Sequence, residues 1–218
     1  MLKEYYLRED NIAQKTQEWL GKLRKYTRDF EKHSLETCAL IVIDMQNFFL
    51  NEQSHAFVPS AKTIVATIKE LIAVFRKYNH PVIFTRFSLD EEDEGMMNKW
   101  WNDTVKEGSE ESKIIAEFTL EKDSIIRKKK YSAFRDTKLN SMLRRRGIET
   151  VVITGVLTHL CCDVTARDAF MHDFNLLFVV DSTASYDEEL HLSSLMALSH
   201  GFVTPTCSGD ILEKIRGC

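Results

Sequence analysis

Two adjacent cysteines, Cys161 and Cys162, stand where a strand-like run gives way to a helical pattern, in the stretch ETVVITGVLTHLCCDVTARDAF (149–170). Val151, Val152 and Ile153 suit a strand buried on both faces, and Gly155 permits a sharp turn. Beyond the turn, Val164, Ala169 and Phe170 recur at helical spacing. A thiol at such an elbow lies beside the unpaired N–H groups and positive dipole end of the helix, which favour the thiolate. Thr158 or Asp163 is placed to cap that helix. Most cysteines simply pack, so the pair alone reads more readily as structural than as nucleophilic. Two other segments change the balance. Asp44 follows the apolar run CALIVI (38–43), where ligands bind at the carboxyl ends of an open parallel sheet. In DSIIRKKK (123–130), period-two alternation puts Ile126, Lys128 and Lys130 on one face. An acid, a lysine and a thiol are the parts of nucleophilic catalysis: a proton acceptor, a cation that favours the thiolate, and the attacking sulfur.

The elements that must position these groups alternate along the chain. Strands are expected at Cys38–Ile43, Pro81–Phe87, Asp123–Lys130, Val151–Ile153, Asn175–Val180 (ending in Asp181) and Gly201–Thr204. Helices are expected over Pro59–Tyr78, around Leu139, Met142 and Leu143 up to Gly147, after the cysteines, over Asp187–His200 and over Ser208–Arg216. Continuous apolar strands alternating with helices imply an α/β fold, a doubly wound parallel sheet with right-handed crossovers. Residues 88–121 form a long polar insertion with Trp100 and Trp101, suited to a pocket wall or lid, or to an oligomer contact. Residues 1–36 read as an amphipathic arm, with Trp19, Leu23, Tyr26 and Phe30 at helical spacing, packing outside a domain of residues 37–218 or on a partner subunit.

At 218 residues, with 44% hydrophobic and 28% charged residues, the chain has room for one sizeable domain. The formal charge of −4 gives no basic footprint for nucleic acid, and the acidic run Asp90–Glu94 reads as a loop. Five cysteines (38, 161, 162, 207, 218) without CxxC spacing fit reduced thiols. No apolar run approaches the ~20 residues of a membrane span, so a cytoplasmic protein without a membrane partner is expected.

The segments IVIDMQNFF, KKKYSAFRDTKL and ITGVLTHLCCDVTARDAF resemble, in type, order and spacing, the three signatures of the isochorismatase-like hydrolase superfamily, over about residues 38–205. That group includes N-carbamoylsarcosine amidohydrolase, nicotinamidases, ureidoacrylate hydrolases and isochorismatases. The resemblance implies a Rossmann-like sheet of about six parallel strands and a catalytic triad of Asp44, Lys128 and Cys161. Lys128 is preferred because it lies three residues before the aromatic of the YSAF segment, and Cys161 because it lies six after the glycine of the TGV turn. It further implies a cis Val156–Leu157 peptide bond and an oxyanion hole from the N–H groups of Leu157 and Cys161. Gln46, Phe49, Phe87, Trp100, Tyr131 and His159 are the expected substrate contacts. Members usually associate, so a homo-oligomer, dimer or tetramer, is expected.

The implied reaction is hydrolysis of an amide, ureido or carbamoyl C–N bond of a small molecule through a Cys161 thioester, without a cofactor. The alternative is isochorismatase chemistry, vinyl-ether cleavage to pyruvate, favoured by THL before the cysteines and by DEEL-H at Asp187–His191. Isochorismatases, however, have glycine at the Cys161 position, glutamine at Phe87 and tyrosine at Leu157. Nicotinamidases add an aspartate and histidine metal site after the second strand. FTRFSLDEEDEG has no histidine, so no metal is expected and nicotinamide is disfavoured. A catalytically silent binding member is the third reading, opposed by survival of all three triad positions.

Overall fold

The computed structural model of the chain describes residues 3–26, 30–93, 95–101, 103–121 and 123–217; Glu94 and Cys218 thus lie outside the described residues. The strands are β1 (Cys38–Ile43), β2 (Val82–Phe87), β3 (Ser124–Lys128), β4 (Thr150–Val156), β5 (Asn175–Ala184) and β6 (Thr204–Thr206). The helices are α1 (Ile12–Leu23), α2 (Asn47–Leu50), α3 (Ile64–Lys77), α4 (Met96–Trp101), α5 (Leu139–Arg145), α6 (Asp163–Met171), α7 (Glu188–Gly201) and α8 (Ser208–Gly217). The strands make one parallel sheet in the order β3-β2-β1-β4-β5-β6. β1 and β4 are buried at every position, which is why neither alternates in polarity. From β1 the sheet grows outward to β2 and β3, and from β4 to β5 and β6. The order therefore reverses between β1 and β4, and the crevice at their carboxyl ends is where an open sheet binds ligands.

Gly155 lets those two strands meet. It pairs with Ile43 at a φ of 105°, and a Cβ there would stand 2.0 Å from the Ile43 carbonyl oxygen. Only glycine fits both the backbone angle and the space.

Several elements differ from the sequence expectation. The helix expected over Pro59–Tyr78 opens with a 3₁₀ turn (Pro59–Lys62), and α3 proper starts at Ile64. β5 continues past Val180 to Ala184, and its pairing jumps from Ile153–Phe178 to Gly155–Thr183, so two steps along β4 match five along β5. Asp181 sits in that bulge instead of ending the strand. There its carboxylate accepts hydrogen bonds from the N–H (2.8 Å) and Oγ (2.6 Å) of Ser208, capping α8. The last strand lies at Thr204–Thr206 and not at Gly201–Thr204, because α7 runs through Gly201 and the Val203 N–H bonds back to the Leu198 carbonyl. β6 is an edge strand and so tolerates Pro205. The amphipathic arm does not lie outside the domain. Leu7, Trp19 and Leu23 are fully buried in the main core, because the apolar side of α1 faces β5 and α7. Within the insertion an isolated bridge pairs Leu89 with Lys106, and a second ties Ile114 to Gln46, just beyond the end of β1.

Candidate active site

Asp44, the first residue beyond β1, adopts a left-handed conformation (φ 47°) and is fully buried. Its Oδ1 accepts a 2.7 Å hydrogen bond from Thr85 Oγ1 on β2, and its Oδ2 lies 2.6 Å from Lys128 Nζ. Alternation along β3 buries Ile126 and Lys128, whereas Lys130 lies past the strand end and is exposed. The Lys128 ammonium also donates to the Lys130 carbonyl at 3.0 Å and to Cys161 Sγ at 3.3 Å. Phe87 pairs with Lys128 in the β2–β3 register, and its ring centroid is 5.5 Å from the ammonium. An acid from β1, a cation from β3 and a thiol following β4 thus converge on one buried point.

Cys161 lies in a π-helical turn (Thr158–Cys162) between β4 and α6, and the Val156–Leu157 peptide bond before it is cis. Wide turns of this kind recur at functional sites because they re-aim one side chain. Cys162, next in the chain, is fully buried. Neither expected capping residue caps. Thr158 Oγ1 is 2.8 Å from His191 Nδ1, while Asp163 pairs with Arg167 and accepts from Ser194 Oγ at 2.8 Å.

Burial governs the electrostatics. The Cys161 thiol is pushed up to about 12 by desolvation, with Lys128 pulling down and Asp44 pushing up. The sequence expectation of a lowered thiol pKa therefore does not hold for the unliganded site, because loss of water outweighs the lysine. Desolvation also acts against the Lys128 ammonium, but attraction and hydrogen bonding to Asp44, aided by the contact with Cys161, leave its pKa raised. At rest a protonated thiol therefore stands beside the Lys128 ammonium.

Above the thiol opens an aromatic pocket with about 470 Å³ of empty space counted out to its mouth. Phe49, Phe87 and Tyr131, expected as substrate contacts, line it, as does Leu157, expected in the oxyanion hole. Three expected contacts do not. Gln46 is fully buried and spends its amide on backbone, accepting from the Phe87 N–H at 2.7 Å and donating to the carbonyls of Phe87 and Ser112, both at 2.9 Å. Trp100 is 72% exposed, because α4 turns Met97 and Trp101 inward and leaves Met96 and Trp100 on the opposite side. Trp101 lines the pocket in its place and donates to Tyr131 Oη at 2.8 Å. His159 is turned aside, its Nδ1 hydrogen-bonded to Ser185 Oγ. Sequence reasoning also missed Thr85, Phe48, His55 and Tyr186. The first two sit near expected site residues, but no spacing rule brings His55 or Tyr186 to the pocket. Among the described residues no three of His, Cys, Asp or Glu gather to hold a metal ion.

Acid, ammonium and thiol at the switch point of a doubly wound parallel sheet define an α/β protein equipped for chemistry at a buried thiol. The chain belongs to the isochorismatase family, whose model, described as Isochorismatase domain, matches residues 38–210. It is 38% identical over 184 residues to Nicotinamidase 3 of Arabidopsis thaliana, covering 82% of this chain and 89% of that protein. It is 34% identical over 183 residues to Isochorismatase of Bacillus subtilis, covering 81% of this chain but 57% of that longer protein. Among solved structures it is similar to a cysteine hydrolase from Pseudomonas syringae, with a TM-score of 0.80 and 25% identity over 83% of this chain and 93% of that one. The protein is therefore an isochorismatase-family hydrolase. No helix among the described residues is long and apolar enough to cross a membrane.

Proposed function

We propose that this hydrolase cleaves the C–N bond of a small planar amide, ureide or carbamoyl compound through a thioester on Cys161. The observation that carries the reading is the buried Lys128 ammonium lying 2.6 Å from Asp44 and 3.3 Å from Cys161 at the floor of the aromatic pocket. With the thiol protonated at rest, attack is coupled to proton transfer. Sγ bonds to the carbonyl carbon as Asp44 takes the thiol proton, and the carbonyl π pair moves to oxygen. The N–H groups of Leu157 and Cys161 hold that oxyanion, each such donor contributing roughly 2.7–4 kcal/mol in comparable sites. The C–N bond then breaks as Asp44 returns the proton to the leaving nitrogen. Water next attacks the thioester, giving its proton to Asp44, and the C–S bond breaks to release the acid. The departing sulfur is stabilised by Lys128 until it recovers the proton.

The flat rings of Phe48, Phe49, Phe87, Trp101 and Tyr131 suit an aromatic or heteroaromatic amide, and the likeness to a protein named Nicotinamidase 3 favours that class. Nicotinamide, disfavoured by the histidine-free segment after β2, therefore belongs in the first substrate panel. The likeness to an isochorismatase keeps vinyl-ether cleavage as the second reading, although it leaves the thiol without a role. The test is ammonia release from nicotinamide and a panel of carboxamides and ureides, beside pyruvate release from isochorismate. Cys161→Ala should lower amide turnover by at least about 10³-fold, with an acyl adduct on Cys161 seen by intact mass in the wild type. Pyruvate release that survives Cys161→Ala, without amide turnover, would reject the thioester route.

A further inference from the structure

The family match begins at residue 38, yet the preceding arm is bolted to the pocket. Tyr186 lines the pocket beside Cys161, and the arm holds it on both sides. The Ser185 N–H donates to Tyr6 Oη at 2.9 Å, and the Glu4 N–H donates to the Tyr186 carbonyl at 2.8 Å. Lys3 Nζ stands 5.0 Å from the centroid of the Tyr186 ring and also donates to the carbonyl of His55, another lining residue. The four-residue stretch Lys3–Tyr6 therefore ties two walls of the pocket that come from distant parts of the chain. The same arm grips the turn that carries the thiol. The rings of Tyr6 and Trp19 lie 5.6 and 4.5 Å from that of His191, which is bonded to Thr158.

We infer that residues Lys3–Tyr6 are positioning residues that set the Tyr186 wall and thereby fix how an aromatic substrate seats over Cys161. This rests on the reading of Cys161 as the reactive thiol. The strand ends place Asp44, Lys128 and the nucleophile turn, but Ser185 and Tyr186 follow the end of β5, where no sheet partner holds them. A buried backbone N–H needs an acceptor, and the arm supplies it through Tyr6. The wall is thus set by residues that precede the family match, which begins at residue 38.

The test compares alkylation of Cys161 by two reagents, iodoacetamide, which needs little of the wall, and N-benzyl-2-chloroacetamide, whose ring must occupy it. Tyr6→Phe keeps the ring packed on His191 and removes only the hydroxyl. Its half-saturating concentration of the benzyl reagent should rise about tenfold, the effect of one unsatisfied buried donor, while the iodoacetamide rate stays within about twofold. Thr16→Val is the control, since that hydroxyl bonds only to the Ile12 carbonyl of its own helix. It should lower the melting temperature without changing the ratio of the two reagents. Equal changes with both reagents, or a Tyr6→Phe profile matching Thr16→Val, would reduce the arm to a structural element and overturn the inference. An inert Cys161 in the wild-type chain would instead defeat the thiol reading itself, and the inference with it.

Discussion

Replacing Lys128 by methionine tests the heart of the site. The substitution keeps the apolar stem but strips the ammonium from a carboxylate that has no solvent exposure. At 2.6 Å the pair attracts by about 6 kcal/mol if the effective dielectric constant is about 20, most of which the burial of both charges offsets. Deleting one partner removes the attraction and leaves the burial penalty, so Lys128→Met should destabilise the fold by about 3–5 kcal/mol. Thr85 remains as a neutral donor to Asp44 and cannot replace a charge. Asp44→Asn/Lys128→Met, which removes both charges, should recover most of that loss. The raised Lys128 pKa gives the pH dependence its sign. The ammonium's contribution is present below the unfolded lysine pKa of about 10.4 and fades as pH rises through the higher folded value. Urea unfolding of the wild type, both single variants and the double variant at pH 7 yields the coupling energy directly. A Lys128→Met cost below about 1 kcal/mol, or a double variant costing the sum of the singles, would refute the claim that the two charges sustain each other.

The other predictions concern geometry and protonation. Gly155→Ala should leave no folded protein, or cost more than about 3 kcal/mol by thermal unfolding, because the new methyl meets the Ile43 backbone at a φ only glycine tolerates. His191, whose pKa burial drives down to about 3, refuses a proton that the unfolded chain accepts near pH 6.5. Stability should therefore fall as pH drops from about 6.5 toward 3, by up to about 1.4 kcal/mol per unit, and His191→Gln should flatten that slope in urea titrations. On α4, Trp101→Ala should raise KM for an aromatic amide several-fold, whereas Trp100→Ala should leave it unchanged; steady-state kinetics on both variants decide which tryptophan faces the substrate.

Which parts of this picture were legible in the residues follows from the range of the forces involved. The strands around the site announce themselves because a strand buried on both faces must be continuously apolar, as CALIVI and the run from Val151 are. Asp44, Lys128 and Cys161 are legible for the same reason. Each is a polar or reactive residue set against an apolar run at a strand end, and alternation along β3 leaves two lysines to choose between. The family resemblance prefers Lys128 by its distance from the YSAF aromatic, and the end of β3 gives the physical reason, since beyond it the chain leaves the sheet and Lys130 is exposed. The phase of α4 was hidden too. A six-residue helix inside a long insertion carries too little periodicity to say which tryptophan turns inward, and only its packing decides.

The thiol's protonation state also lay beyond the sequence, since a pKa pushed up to about 12 reflects how much water the assembled walls exclude. So did the part played by the arm. Its amphipathic spacing foretold a buried face, but whether that face met this domain or another subunit depended on long-range contacts such as that between Glu4 and Tyr186, 182 positions apart. The sequence by itself determined the parallel sheet, the order of its elements and the chemical kinds gathered at its switch point, because those follow from local polarity and turn geometry. Tertiary structure alone decided which tryptophan and which distant segment close around the thiol, because solvent exclusion and long-range packing exist only once the chain has folded.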